Sequence, residues 1–127
     1  MGRLLENHRV EGADEWLTIE VADEPGAGGA CHEYYISWPT PTHRDPGLRT
    51  FQAVTFQNGP IREAGVNGVT QEALLAIVID RLESFQAGPF PSDQNAVALD
   101  HVKAALWHLK ERTRMRLARG VEGTTQA

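Results

Sequence analysis

Residues 74–99 read LLAIVIDRLESFQAGPFPSDQNAVAL, and this stretch decides the fold. An apolar run from Leu74 to Ile79 leads through a more polar segment to Gly88-Pro89-Phe90-Pro91. No regular helix crosses such a sequence, because proline lacks an N–H and its ring clashes with the preceding turn. Thr70 stands before the run as an N-cap, and Glu72 falls in the first turn, where the helix dipole favours an acid. The spacing predicts a helix from Gln71 to about Ala87. Ser92 then caps a second helix that runs to about Arg119, where Gly120 ends it. Val97, Val102, Ala105 and Leu109 follow helical spacing in this second segment, with Leu106 and Trp107 widening the stripe. The link is short, so the two helices form an antiparallel hairpin. The consecutive apolar positions of the first helix sweep all of its sides at 3.6 residues per turn. One sheet and one other helix cannot cover them all, so a second copy of the chain is expected against the remainder.

Upstream, three segments read as strands: Glu15 to Val21 (EWLTIEV), His32 to Trp38 (HEYYISW) and Phe51 to Gln57 (FQAVTFQ). The separators EPGAGG and PTPTHRDPG are rich in Pro and Gly and read as turns or loops. Between sheet and hairpin, Asn58-Gly59-Pro60 and Asn67-Gly68 are strong turn signals. They make either two tight turns or a loop whose backbone N–H groups also line a pocket. The expected fold class is α+β in a single domain, 1–127. A small N-terminal antiparallel sheet occupies about 15–57, a turn-rich connection 58–70, a C-terminal antiparallel helical hairpin 71–119 and a C-terminal loop 120–127. The last few residues are expected to be loosely held.

The chain has 127 residues, a hydrophobic share of 41% and a formal charge of −5. That length supports one modest core. No run approaches the roughly 18 apolar residues of a membrane span. The opening MGRLLENHRVEGADEW has no apolar segment after its first basic residue, so no secretory signal is expected. A lone cysteine, Cys31, makes no internal disulfide, which agrees with a reducing cytosolic compartment.

Six of the twelve Lys and Arg residues fall between Lys103 and Arg119. A basic cluster on an acidic protein suits a small anion held at one spot, whereas the remaining surface would repel DNA or RNA. Arg112, Arg116 and Arg119 lie at i, i+4 and i+7 on one stripe, with Lys110 and Arg114 beside it. Cations near a helix C-terminus also complement its dipole. Arg112 stands about two turns before the end, and its planar fork suits bidentate phosphate binding. Asn95 occupies the first turn of the same helix, where a local hydrogen bond is its simplest role. Phe85 and Phe90 flank the hairpin turn, either to cap the core or to stack on a base. The five histidines and Cys31 lack metal-ligand spacing, and no metal or cofactor is expected. Asp80 and Glu83 are the available acid/base groups, but both read as the polar face of the first helix. No phosphate loop, nucleophile elbow or paired-carboxylate signature occurs. These residues alone imply an oligomeric small-anion binder and not an enzyme.

The segments FQNGPIREAGVNG (56–68), LLAIVIDRLESFQAGPF (74–90), and NAVAL (95–99) with ALWHLKERTRMRLARGVEGT (105–124) resemble the phage Thoeris anti-defence family of the first type. The hairpin is similar to that of phage sponges acting against CBASS cyclic-oligonucleotide signalling. The resemblance runs from Phe51 to Thr124. It implies non-catalytic sequestration of a cyclic ADP-ribose isomer, 1″–3′ glycocyclic ADP-ribose, in the cytoplasm of an infected bacterium. The ligand pocket would lie between subunits of a homo-oligomer built from twofold dimers, in a hexamer. The resemblance makes Phe85 a stacking partner, Asn95 a polar contact, Arg112 the pyrophosphate contact and Arg116 a second phosphate contact. Val121, Glu122, Gly123 and Thr124 belong to a loop that folds over the ligand. Relatives also bind cyclic di- or trinucleotides at a second site, for which Arg62 and Asn67 are the candidates here. Where relatives carry a basic residue at the start of the second helix, this chain has Asp93, and an acid there repels phosphate. The alternatives are an enzyme that degrades the same signal and a structural oligomer with no small ligand.

Overall fold

The computed structural model describes residues 2–13, 15–41, 45 and 47–125. The loop expected around residues 39–47 lies partly outside them, as do the last two residues of the expected C-terminal loop. The chain forms two compact units. One comprises residues to Gly59 together with Val66–Gly68; the other comprises Pro60–Gly65 and the chain from Val69 onward.

The first unit is an antiparallel sheet of β1 (Arg3–Leu5), β2 (Thr18–Val21), β3 (Glu33–Pro39) and β4 (Arg49–Thr55), in that spatial order. β1 was not expected from the sequence: three residues are too short to show an alternation. β2 begins three residues later than Glu15. β4 starts at Arg49 and ends at Thr55, a shift of two residues, because pairing with β3 begins at Pro39↔Arg49. The register sets Ile19 opposite Ile36 and Val21 opposite Tyr34 on one face, where Val21 is only 2% exposed. Tyr34 meets Phe56 edge-on at 5.7 Å. On the other face Tyr35 meets Phe51 at 5.6 Å. Arg49 ties strand ends together through hydrogen bonds to the carbonyl oxygens of Trp16 and Ser37. A 3₁₀ turn at Ala27–Gly29 precedes β3. The Asp23 carboxylate accepts hydrogen bonds from the backbone N–H groups of His32 and Glu33. Burial pushes its pKa up, but these N–H groups and the nearby His32 hold it below the usual range.

The second unit holds α1 (Ile61–Ala64), α2 (Gln71–Ala87) and α3 (Asp93–Ala118). Thr70 and Ser92 cap α2 and α3, accepting from the N–H groups of Ala73 and Asn95, each at 3.1 Å. Gln86 closes the hairpin turn by bonding both the N–H and the C=O of Ser92, and Lys103 pairs with Glu83 across the helices at 3.3 Å. Half-buried or buried positions on α3 fall at Asn95, Leu99, Val102, Leu106, Leu109, Glu111, Thr113 and Arg116, and all but Glu111 are spaced alternately four and three residues apart. That alternation of four and three residues is a coiled-coil seam. On α2 the matching seam is Glu72, Leu75, Ile79, Leu82 and Gln86. The stripe expected from sequence is therefore corrected: Val97, Ala105 and Trp107 lie outside the seam and are exposed. The hairpin leaves Ile77 60%, Phe85 47%, Val97 52%, Trp107 54% and Met115 59% exposed.

Candidate functional site

The described basic side chains of α3 do not act alike. His108, Glu111, Arg112, Met115, Arg116 and Arg119 line an open cavity of 310 Å³ along the last turns of the helix. Their spacing, i, i+3, i+4, i+7, i+8 and i+11, is what one side of a helix presents. The structure therefore brings Arg112 and Arg116 together, and it adds His108, Glu111, Met115 and Arg119 as cavity wall. The sequence carried the signal for the arginines in their i, i+4, i+7 stripe. The same periodicity places His108 and Met115 beside Arg112, at i−4 and i+3, but not the concavity itself, which depends on what the neighbours of the helix leave open.

Arg112 is exposed, and its guanidinium makes no hydrogen bond or ion pair among the described residues. The same holds for Arg119. Arg114, by contrast, pairs with Glu111 at 3.1 Å, which leaves that stripe partly neutralised. Arg116 is 7% exposed. Its Nε donates to Glu122 Oε1 at 3.1 Å, and Nη2 donates to the carbonyl oxygens of Val121 at 2.9 Å and Thr124 at 3.1 Å. Burial acts to raise the Glu122 pKa. Hydrogen bonds from Arg116 and the Gly123 N–H, with the charges of Arg116 and Arg112, hold it below the usual carboxylate range.

The loop after α3 sits next to Arg62. The Arg62 N–H donates to the Gly123 carbonyl at 3.2 Å. A Cβ on Gly123 would lie 3.3 Å from the Arg62 side chain, and Gly123 has a φ of +80°. Both facts favour glycine there. Arg62 therefore stands beside the same loop as Arg116. Asn67, named with it for a second anion site, belongs to the other unit. Its amide is occupied with the backbone of Asn58, accepting from the N–H at 2.7 Å and donating to the C=O at 2.8 Å.

Phe85 and Asn95 flank the hairpin turn and do not line the cavity. The Arg81 guanidinium lies 5.0 Å over the Phe85 ring, a cation–π contact that already engages one face of the ring. Asn95 is half-buried in the seam, its N–H bound by Ser92 Oγ. Within one chain the sequence-predicted ligand residues thus fall into two groups at opposite ends of α3. Among the described residues no group of three or more His, Cys, Asp or Glu is placed to hold a metal ion. No helix among them is long and apolar enough to cross a membrane.

Comparison with known proteins agrees with the hairpin. The chain is 49% identical over 71 residues to Thoeris anti-defense 1 of Bacillus phage SBSphiJ7. That stretch is 56% of this chain and 50% of the relative, so the match spans about half the relative's length. Residues 50–114 match the profile of the Acb2/Tad1 hairpin domain. They take in β4, the connection, α2 and most of α3, including Phe85, Asn95 and Arg112, and by this match the chain belongs to the Acb2/Tad1 hairpin-domain family.

Proposed function

We propose that the protein blocks bacterial Thoeris defence by holding a cyclic nucleotide signal without altering it, the signal being 1″–3′ glycocyclic ADP-ribose. The observation that carries this reading is the cavity at the end of α3, where the guanidiniums of Arg112 and Arg119 make no hydrogen bond or ion pair among the described residues of a family hairpin. The name of the phage relative supports the anti-Thoeris role. Arg112 meets the pyrophosphate, through charge-assisted hydrogen bonds of roughly 1.5–3 kcal/mol each. Phe85 stacks on the base, Asn95 adds a polar contact, and the Val121–Thr124 loop folds over the ligand. Capture takes place in the cytoplasm of the infected host.

The functional form is a homo-oligomer of twofold dimers, assembled as a hexamer. The exposed apolar side chains of the hairpin support this, since patches of that kind on a soluble chain mark interaction surfaces. The charge order of α3 supports an antiparallel pairing. Asp93 and Asp100 precede Lys110, Arg112, Arg114 and Arg116, so reversed partners set acid against base. Each pocket then takes Asn95 from one subunit and Arg112 from the other. Cyclic di- or trinucleotides would bind separately: Asp93 disfavours phosphate at the start of α3, and Arg62 is the candidate for a second anion site.

Native mass spectrometry of the protein with a panel of cyclic nucleotides tests the reading. The expected result is retention of 1″–3′ glycocyclic ADP-ribose, two molecules per dimer, released by heating with its mass unchanged. Recovery of a linearised or deglycosylated product would establish an enzyme instead. An oligomer that retains no member of the panel would establish a structural role.

A further inference from the structure

We propose that Arg116 and Glu122 form a latch that fastens the Gly120–Thr124 loop to the end of α3 before any ligand arrives. Arg116 then serves capture as a positioning residue, while Arg112 and Arg119 present the guanidiniums that meet the anion.

A guanidinium that is 7% exposed is stable only when its donors are met. The donors of Arg116 are met by the loop: a carboxylate oxygen of Glu122 and the carbonyl oxygens of Val121 and Thr124. The loop answers with bonds of its own. The Val121 N–H returns to the Arg116 carbonyl at 3.0 Å, and the Thr124 N–H reaches the Val121 carbonyl at 3.1 Å. The Glu122 carboxylate also receives the Gly123 N–H at 3.1 Å. Val121 is 7% exposed, so the loop carries an apolar anchor as well. On its other side Gly123 rests on Arg62. A phosphate could take Arg116 only by stripping these carbonyls and this carboxylate from it, and it would then leave the loop unfastened. Arg112 and Arg119, one turn to either side of Arg116, carry no such obligation. A loop ordered in advance costs little ordering entropy when it closes on a ligand, which favours slow release. This inference rests on the reading that the loop covers the ligand.

Hydrogen exchange of the ligand-free protein tests the latch without reference to any ligand. Glu122→Gln keeps the shape of the side chain and removes its charge. The Val121, Gly123 and Thr124 amides should then exchange about tenfold faster, the scale set by one lost charge-assisted hydrogen bond, while the α2 amides keep their protection. With 1″–3′ glycocyclic ADP-ribose as the probe, E122Q should release ligand about tenfold faster with little change in association. Glu122→Asp, which retains the carboxylate, should recover part of both effects. Unchanged loop exchange in E122Q overturns the latch. So does tighter probe binding by E122Q, which is expected if Glu122 merely competes with a ligand phosphate for Arg116. Arg116→Lys provides a second variant: it keeps the charge and loses the fork, so a point contact to phosphate would tolerate it and a latch would not. Wild-type protein that protects the loop and yet binds no cyclic nucleotide overturns the proposed function alone.

Discussion

Asn95 and Arg112 lie on one unbroken helix, α3, seventeen residues apart. At 1.5 Å and 100° per residue that is about 25 Å along the axis and about 100° around it. A cyclic dinucleotide-sized ligand cannot bridge such a gap within one chain. If both residues touch one ligand, they come from two subunits whose α3 helices run antiparallel, with the twofold axis near Lys103 to Ala105. Lys103, Ala104 and Ala105 are exposed, and the two alanines permit close approach.

Asn95→Ala and Arg112→Ala should therefore each abolish capture on their own. A mixed dimer holding one of each mutant keeps one wholly unmodified pocket. Co-expression with two different tags and sequential purification should restore about one ligand per mixed pair. This stoichiometry follows from the twofold geometry, and mixed pairs that bind nothing would end the shared-pocket arrangement.

Acid should open the latch. The Glu122 pKa is depressed in the fold, so its contribution is fully present above the ordinary carboxylate range and is lost as pH falls through the lower folded value. Loop amide protection, after correction for intrinsic exchange, should hold from neutral pH down to that range and collapse only below it. E122Q should show no such acid step. Asp23 is depressed too, so a global melt would mix the two groups, and a probe confined to the loop is required.

The seam assignment separates two neighbours. Leu106 is half-buried in the seam and Trp107 is 54% exposed. Leu106→Ala should lower hairpin stability by roughly 2 kcal/mol, toward the low end for a buried leucine. Trp107→Ala should keep the helical circular dichroism signal and lower the assembled mass in light scattering. A monodisperse monomer of wild-type protein at micromolar concentration would contradict the oligomer itself.

Asp93 should weaken any second site for phosphate. Cyclic trinucleotides are expected to bind poorly, and Asp93→Arg should improve them, as read by isothermal calorimetry. Tight trinucleotide binding by the unaltered chain would show that this acid does not face the ligand.

Local chemistry was legible in the chain without a structure. Thr70, Ser92 and the Gly-Pro-Phe-Pro break act through neighbouring backbone groups, so the hairpin and its caps followed from them within about a residue. The basic stripe of Arg112, Arg116 and Arg119 followed equally from helix periodicity. The short β1 and the single turn of α1 escaped notice, because neither is long enough to show a period. α3 carries apolar residues on more than one side, with Asn95, Thr113 and Arg116 inside the seam. Which side meets α2 is a matter of packing: Val102, Leu106 and Leu109 of the expected stripe lie in the seam, whereas Val97, Ala105 and Trp107 are exposed. Tertiary structure alone also distinguishes Arg116 from Arg112. The two have the same side chain one turn apart on one helix, and only the path of the loop after Gly120 buries one guanidinium against carbonyls and leaves the other in the cavity. Arg62 meets Gly123 across some sixty residues of chain, a contact that no spacing rule encodes, because it exists only once the hairpin has folded back on itself.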